Sequence, residues 1–169
     1  MTEQPVVVKI GDLVDMVGHT LPRGPWLTIE QDMIDRFARA VGTRRWATDQ
    51  ERQTVGQHGG NFVLSMIPTL CRTQMQVVGV RMSINYGAGR CRFPESVGVG
   101  STIRARTEIV GVDARVDGST LLTRRVVVEI KGRQRSACVA ELLRLYEPTI
   151  TGPTEIVGTR TPESYEEKL

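Results

Sequence analysis

Apolar residues along this chain follow two periods, and the change between them divides it. From Thr28 to Val41 they recur at helical spacing: Ile34, Phe37, Ala38 and Val41 share one side, while Glu30, Asp35, Arg36 and Arg39 fall largely elsewhere. Thr28, with Gln31 three residues on, reads as a capping box at the start of this helix, and Gly42 as its C-terminal stop. A second helix is predicted over residues 61–70, where Phe62, Val63, Met66, Ile67 and Leu70 are apolar on more than one face. A helix apolar nearly all round is a buried one. Pro68 is expected to kink it or end it early.

From Val77 the period falls to about 2, the spacing of a strand. VVGVRMSIN is a strand candidate ending near Tyr86-Gly87, the glycine-rich GAGR is read as a turn, and Pro94 stops regular pairing. Thr102 to Val112 sets Ile103, Ala105, Thr107 and Ile109 against Arg104, Arg106 and Glu108. Asp117-Gly118 is a hairpin signal, LLTRRVVVEI a strand, KGRQR a turn and SACVAELLRLYEP a last strand. Three strands joined by short turns make an antiparallel meander. Ahead of the first helix, residues 1–7 read as a loose tail, Ile10–Val17 as a short helix closed by Gly18, and LPRGPWLT as an extended lead-in. The expected architecture is α+β, with Phe37, Val63, Met66, Ile67, Leu70, Ile103, Ile109, Val126 and Val139 in the core. One domain is expected over residues 1–147, followed by a polar tail over 148–169.

Composition narrows the classes. With 169 residues, 40% hydrophobic and 24% charged, the chain is an ordinary globular one, long enough to bury a core. The net charge is +3 and only 5% of residues are aromatic, with arginines scattered along the strands; nucleic acid is not an expected partner. Three cysteines without CxxC spacing and two histidines give no zinc pattern, so neither metal nor cofactor is expected. The longest apolar runs are too short to cross a membrane, and MTEQPVVVK lacks the apolar core of a secretion signal. A cytoplasmic location with reduced thiols is the expectation.

The segments LTIEQDMIDRFARAVGTRRW, SINYGAGRCRFPESVGVGSTIRAR and SACVAELLRLY resemble the MaoC-like (R)-specific enoyl-CoA hydratases and dehydratases. The Asn-Tyr-Gly…Arg-Phe-Pro block is the most specific of these. The resemblance implies a hot-dog domain, a sheet wrapped around one helix, that pairs as a homodimer. It also implies chemistry on acyl thioesters, in which an Asp/His pair holds water and an N–H donor polarises the thioester carbonyl. Carried across, the Asp falls at Thr43 and the His at Thr48, and a hydroxyl with no adjacent base is a poor proton acceptor. A short stretch after the Gly59-Gly60 pair, with a family histidine, is also missing. Those glycines could let a ligand reach helix N–H groups, or could simply form a turn.

Substitute catalytic groups are His58 and Asp49, with Thr43 and Thr48 beside them; His19 is a weaker candidate. The expected substrate-binding set is Trp46, Gly59, Gly60, Asn61, Ser65, Asn85, Tyr86, Arg90, Arg92 and Phe93. Of these, Arg90 and Arg92 suit coenzyme A phosphates, and Arg44 and Arg45 could face an anion. Three readings stand at this point. One is a repurposed lyase- or isomerase-like enzyme that preorganises an acyl thioester or polyketide-like intermediate, on coenzyme A or a carrier protein, for cyclisation, elimination or isomerisation. The second is a non-catalytic hot-dog subunit or ligand-binding protein, and the third a hydratase or dehydratase using His58 and Asp49.

Overall fold

The structure, a computed structural model, describes residues 4–42 and 59–149. Val6–Lys9 is a strand, β1, and not part of a loose tail, because its valines have an apolar surface to seal and Val8 is buried. Ile10–Met16 is a short 3₁₀ helix that buries Leu13, and Gly18 closes it as expected. Next comes β2 (Leu27–Thr28), then α1 (Gln31–Ala40), whose N-cap is Glu30. The capping box at Thr28 is therefore not formed. Sheet pairing claims Thr28, whose Oγ1 lies 3.2 Å from that of Thr102, and Gln31 turns into the helix to donate to Asp35 at 3.0 Å. Gly42 does end α1, with φ of 72°.

The second helix, α2, runs from Gly59 to Cys71, so both glycines lie inside its first turn and Pro68 does not end it. Gly59, Phe62, Val63, Ile67, Leu70 and Cys71 are buried, whereas Asn61, Ser65, Pro68 and Thr69 are exposed. The helix is thus one-sided, with its apolar face on the sheet. Gly24 in the lead-in crosses its end, where a Cβ would lie 2.1 Å from the Leu70 carbonyl oxygen. Only glycine can pass there.

β3 (Met75–Val78) pairs in parallel with β1, from Val6 opposite Met75 to Lys9 opposite Val78. β4 (Val80–Arg92) takes in the GAGR segment expected to turn: Gly87 pairs with Leu143, and register shifts on either side mark bulges. Pairing wins over local turn propensity here, and the glycines supply the bulges instead. β5 (Thr102–Ala114), β6 (Thr120–Ile130) and β7 (Cys138–Pro148) form the expected meander, and the five-stranded sheet runs β2-β5-β6-β7-β4. At the β5–β6 hairpin, Asp117 accepts hydrogen bonds from the Ser119 N–H and hydroxyl at 2.9 and 2.6 Å.

α2 lies on β5, β6 and β7, the hot-dog arrangement. Val63, Ile67, Leu70, Ile103, Ile109 and Val126 are buried as expected, but Phe37, Met66 and Val139 are half-buried. Val139 has the wrong parity: Cys138 and Ala140 point inward on β7. Phe37 packs edge-on against Phe62 with ring centroids 5.5 Å apart. A smaller apolar cluster of Val8, Leu13, Leu21, Ile109, Leu122 and Tyr146 lies beyond the main core. The outward arginines of the meander pair across strands, Arg104 with Glu129 at 2.8 Å and Arg125 with Glu108 and Glu141 at 3.6 and 3.7 Å.

Candidate functional site

Gly59 and Gly60 open α2, and the close approach they permit is made by the protein itself. A Cβ on Gly60 would sit 2.5–2.7 Å from three atoms of the Phe93 ring, so that ring lies directly on the first turn. Phe93, just past β4, keeps 42% of its surface exposed. Asn61 and Ser65 lie one turn apart on the open side of α2, and Ser65 donates to the Phe62 carbonyl at 2.7 Å. Helix N-termini present N–H groups with no intrahelical partner and the positive end of the dipole, which favour a negatively polarised oxygen. Arg90 and Arg92 are exposed near the end of β4, and neither forms an ion pair with a described residue. Gly59, Gly60, Asn61 and Phe93 are therefore grouped at one end of α2, with Ser65 one turn further along and a basic rim beside them.

Asn85 and Tyr86 stand apart from this group. Seven residues separate Asn85 from Arg92 on β4, about 20 Å at ordinary strand rise. Asn85 accepts a hydrogen bond from Arg144 Nη2 at 2.7 Å, and Tyr86, 50% exposed, has the Arg115 guanidinium 5.2 Å from its ring centre. Thr43, Arg44, Arg45, Trp46, Thr48, Asp49 and His58 lie outside the described residues. His19 is exposed, in the link after the 3₁₀ turn, where its backbone bonds Met16 and Ile109.

Sequence reasoning missed a buried polar seam toward the C-terminal end of α2. Thr107 donates to Gln74 Oε1 at 2.7 Å, Gln74 donates to the carbonyls of Pro22 and Ala105 at 2.8 and 3.1 Å, and Cys71 Sγ lies 3.5 Å from Thr107. Arg124 is buried beside it, and burial pushes its guanidinium pKa down. Burial likewise raises the Cys71 thiol, against the hydrogen bond to Thr107 and the nearby arginines. The signal was available: Arg124 shares strand parity with Leu122, Val126 and Val128. Cys91 and Cys138 meet on neighbouring strands with sulfurs 3.9 Å apart, and the Cys138 thiol is pushed up to about 12, by burial first and then by Cys91.

Among the described residues no group of three His, Cys, Asp or Glu side chains is placed to hold a metal ion. No helix there is long and apolar enough to cross a membrane.

No protein-family model matches the chain. It is 36% identical over 144 residues to the 3-hydroxyacyl-thioester dehydratase Z of Mycobacterium tuberculosis, covering 82% of this chain and 95% of that protein. Its fold is similar to that of a MaoC-like dehydratase from Rhodospirillum rubrum, with TM-score 0.60 and 14% identity over 80% of this chain and 94% of the other. A Mycobacterium tuberculosis protein with a double hot-dog fold aligns with TM-score 0.56 and 19% identity, over 79% of this chain and 42% of that one, as one repeat of two would. Over a third of the positions are thus shared along nearly the whole length of a dehydratase, on the same helix-and-sheet frame; the chain belongs to the MaoC-like hot-dog dehydratase family.

Proposed function

We propose that the chain is an acyl-thioester lyase that interconverts a 3-hydroxyacyl thioester with its 2-enoyl thioester and water, holding the thioester carbonyl at the first turn of α2. The observation that carries this is the 36% identity to the mycobacterial dehydratase over 95% of its length. The glycine-opened first turn of α2, with Asn61 exposed and the Phe93 ring against Gly60, supports it. As the Cα proton leaves, negative charge develops on the carbonyl oxygen, and the N–H groups of the turn, which have no intrahelical partner, stabilise it. His58, directly ahead of α2 in sequence, takes that proton and returns it to the departing hydroxyl, with Asp49 orienting the ring. Thr43 and Thr48 hydrogen-bond the water in place of the family's Asp and His. Arg90 and Arg92 meet the phosphates of coenzyme A or of a carrier-protein arm.

The test follows hydration of a trans-2-enoyl-CoA by the loss of its conjugated absorbance. His58→Ala is expected to lower the rate by about 10²–10⁴, the usual worth of a positioned acid/base. A loss well below tenfold would remove His58 from the chemistry. One observation favours a second reading, a site without a strong base: threonines stand at both dyad positions. Shape and hydrogen bonding would then direct a cyclisation, elimination or isomerisation of an acyl-thioester or polyketide-like intermediate. In that case Thr48→Phe or Thr43→Leu abolishes turnover while the fold survives, and His58→Ala costs little.

A further inference from the structure

The inward-facing positions of β6 are Thr120, Leu122, Arg124, Val126, Val128 and Ile130, and Arg124 sits among them at 8% exposure. Across the ladder, Arg124 lies opposite Leu142 of β7 and Leu122 lies opposite Arg144. The two arginines are therefore diagonal neighbours on one face, with Cα atoms about 7–8 Å apart. Next to them, Arg144 pairs with Asn85 of β4 and donates to it from Nη2. The Nε atoms of both arginines are buried and have no hydrogen-bond partner.

Among the described residues nothing nearby neutralises this pair. Neither guanidinium forms an ion pair with a carboxylate among the described residues. The groups facing Arg124 are the Cys71 thiol, the Tyr146 phenol and Arg144 itself. The adjacent Gln74 and Thr107 bond to each other and to main-chain carbonyls. The C-terminal end of α2 at Cys71 offers about half a negative charge against two positive ones. A buried, unpaired guanidinium is costly, and two side by side repel each other as well.

We propose that Arg124 and Arg144 form a receptor for an organic carboxylate on the inner face of the sheet. A planar carboxylate matches the forked guanidinium edges: Arg124 has no hydrogen-bond partner among the described residues, and Arg144 is held only through Nη2, by Asn85. The surrounding Ile109, Leu122, Leu142 and Tyr146 suit an acid with an apolar skeleton better than a strongly hydrated phosphate. Exposure rises along the row from Arg124 through half-buried Arg144 to exposed Asn85, so the acid enters over the face of the sheet beside Asn85. This receptor lies toward the opposite end of α2 from the thioester site and does not rest on the reaction proposed there.

The experiment is thermal unfolding of the full chain with sodium hexanoate, with sodium chloride at matched ionic strength and with inorganic phosphate. Hexanoate is expected to raise Tm progressively and saturably, beyond chloride and phosphate. Arg124→Met is expected to have an acid-free Tm no lower than the parent and to lose the response. Arg124→Lys keeps the charge but not the fork, and is expected to weaken the response about tenfold. Two thioesters locate the carboxylate's source. If it ends a bound acyl chain, adipoyl-CoA stabilises more than hexanoyl-CoA, and only when Arg124 is present; if it is a free acid, the two thioesters act alike and hexanoate suffices. No carboxylate response beyond chloride, a response to phosphate only, or an undiminished response in Arg124→Met would overturn the proposal. Should Arg124→Met fail to fold, an unchanged hexanoate response in Arg124→Lys would do so.

Discussion

Ile67 is fully buried where α2 meets the sheet, so its truncation tests whether that contact is central. Ile67→Ala is expected to cost about 2–5 kcal/mol in chemical denaturation. A cost under about half a kcal/mol would mean that the helix is not central to the fold. Gly60 tests a different contact, because an added methyl group meets the Phe93 ring. Gly60→Ala is expected to cost about 1–3 kcal/mol. Combining it with Phe93→Ala should recover most of that loss, a coupling read from a double-mutant cycle. Cys138 gives a pH prediction with a definite sign. Its folded pKa of about 12 lies above the ordinary thiol value of 9.0, so the folded state holds that proton more tightly. Its contribution to stability is complete below pH 9 and is lost as pH rises toward 12. Denaturation midpoints measured across this window should fall, and Cys138→Ala should fall less.

Elements were legible where pattern and environment agreed. β5 alternates with a single solvent face and a single buried face, so Ile103, Ala105, Thr107 and Ile109 could be placed inward from the sequence. Thr28 and the GAGR segment were misread for one reason: both carry strong local signals, and both are taken up by pairing to a distant strand. Local propensity is a weak prior where a sheet supplies backbone partners. α2 was recognised as a core helix, but its apolar richness hid the exposed stripe of Asn61, Ser65 and Thr69. The site was legible only in part. Its glycines and Phe93 fall together, whereas Asn85, drawn from the same family-like segment, belongs to a different part of the molecule. The arginine seam escaped because arginine in a strand is ordinarily a solvent-facing residue, and parity was not weighed against that habit.

The sheet as a whole ends on β4, a long and largely exposed edge strand. An edge of this length, uncovered among the described residues, invites pairing with another chain. A homodimer joined through β4 into one continuous sheet is the proposed assembly, burying about 1,600 Å² or more. Light scattering at micromolar concentration should then give twice the 18.8 kDa chain mass. A monomer would sink the assembly, and aggregation of the isolated chain would point instead to a subunit lacking its partner.

The pairing of β1 with β3 has a kinetic consequence. Val6 meets Met75 across 69 positions, since 75 − 6 = 69, whereas the β5–β6 hairpin closes between Ala114 and Thr120. Closing the longer loop costs more chain entropy, and the parallel ribbon gains only four residue pairs in return. The meander therefore forms early, and the N-terminal strand docks late as a clasp over Leu13 and Tyr146. What locks last opens first. In native-state hydrogen exchange the β1 amides should report a shallow local opening, while those of β6, flanked on both sides, exchange only with global unfolding.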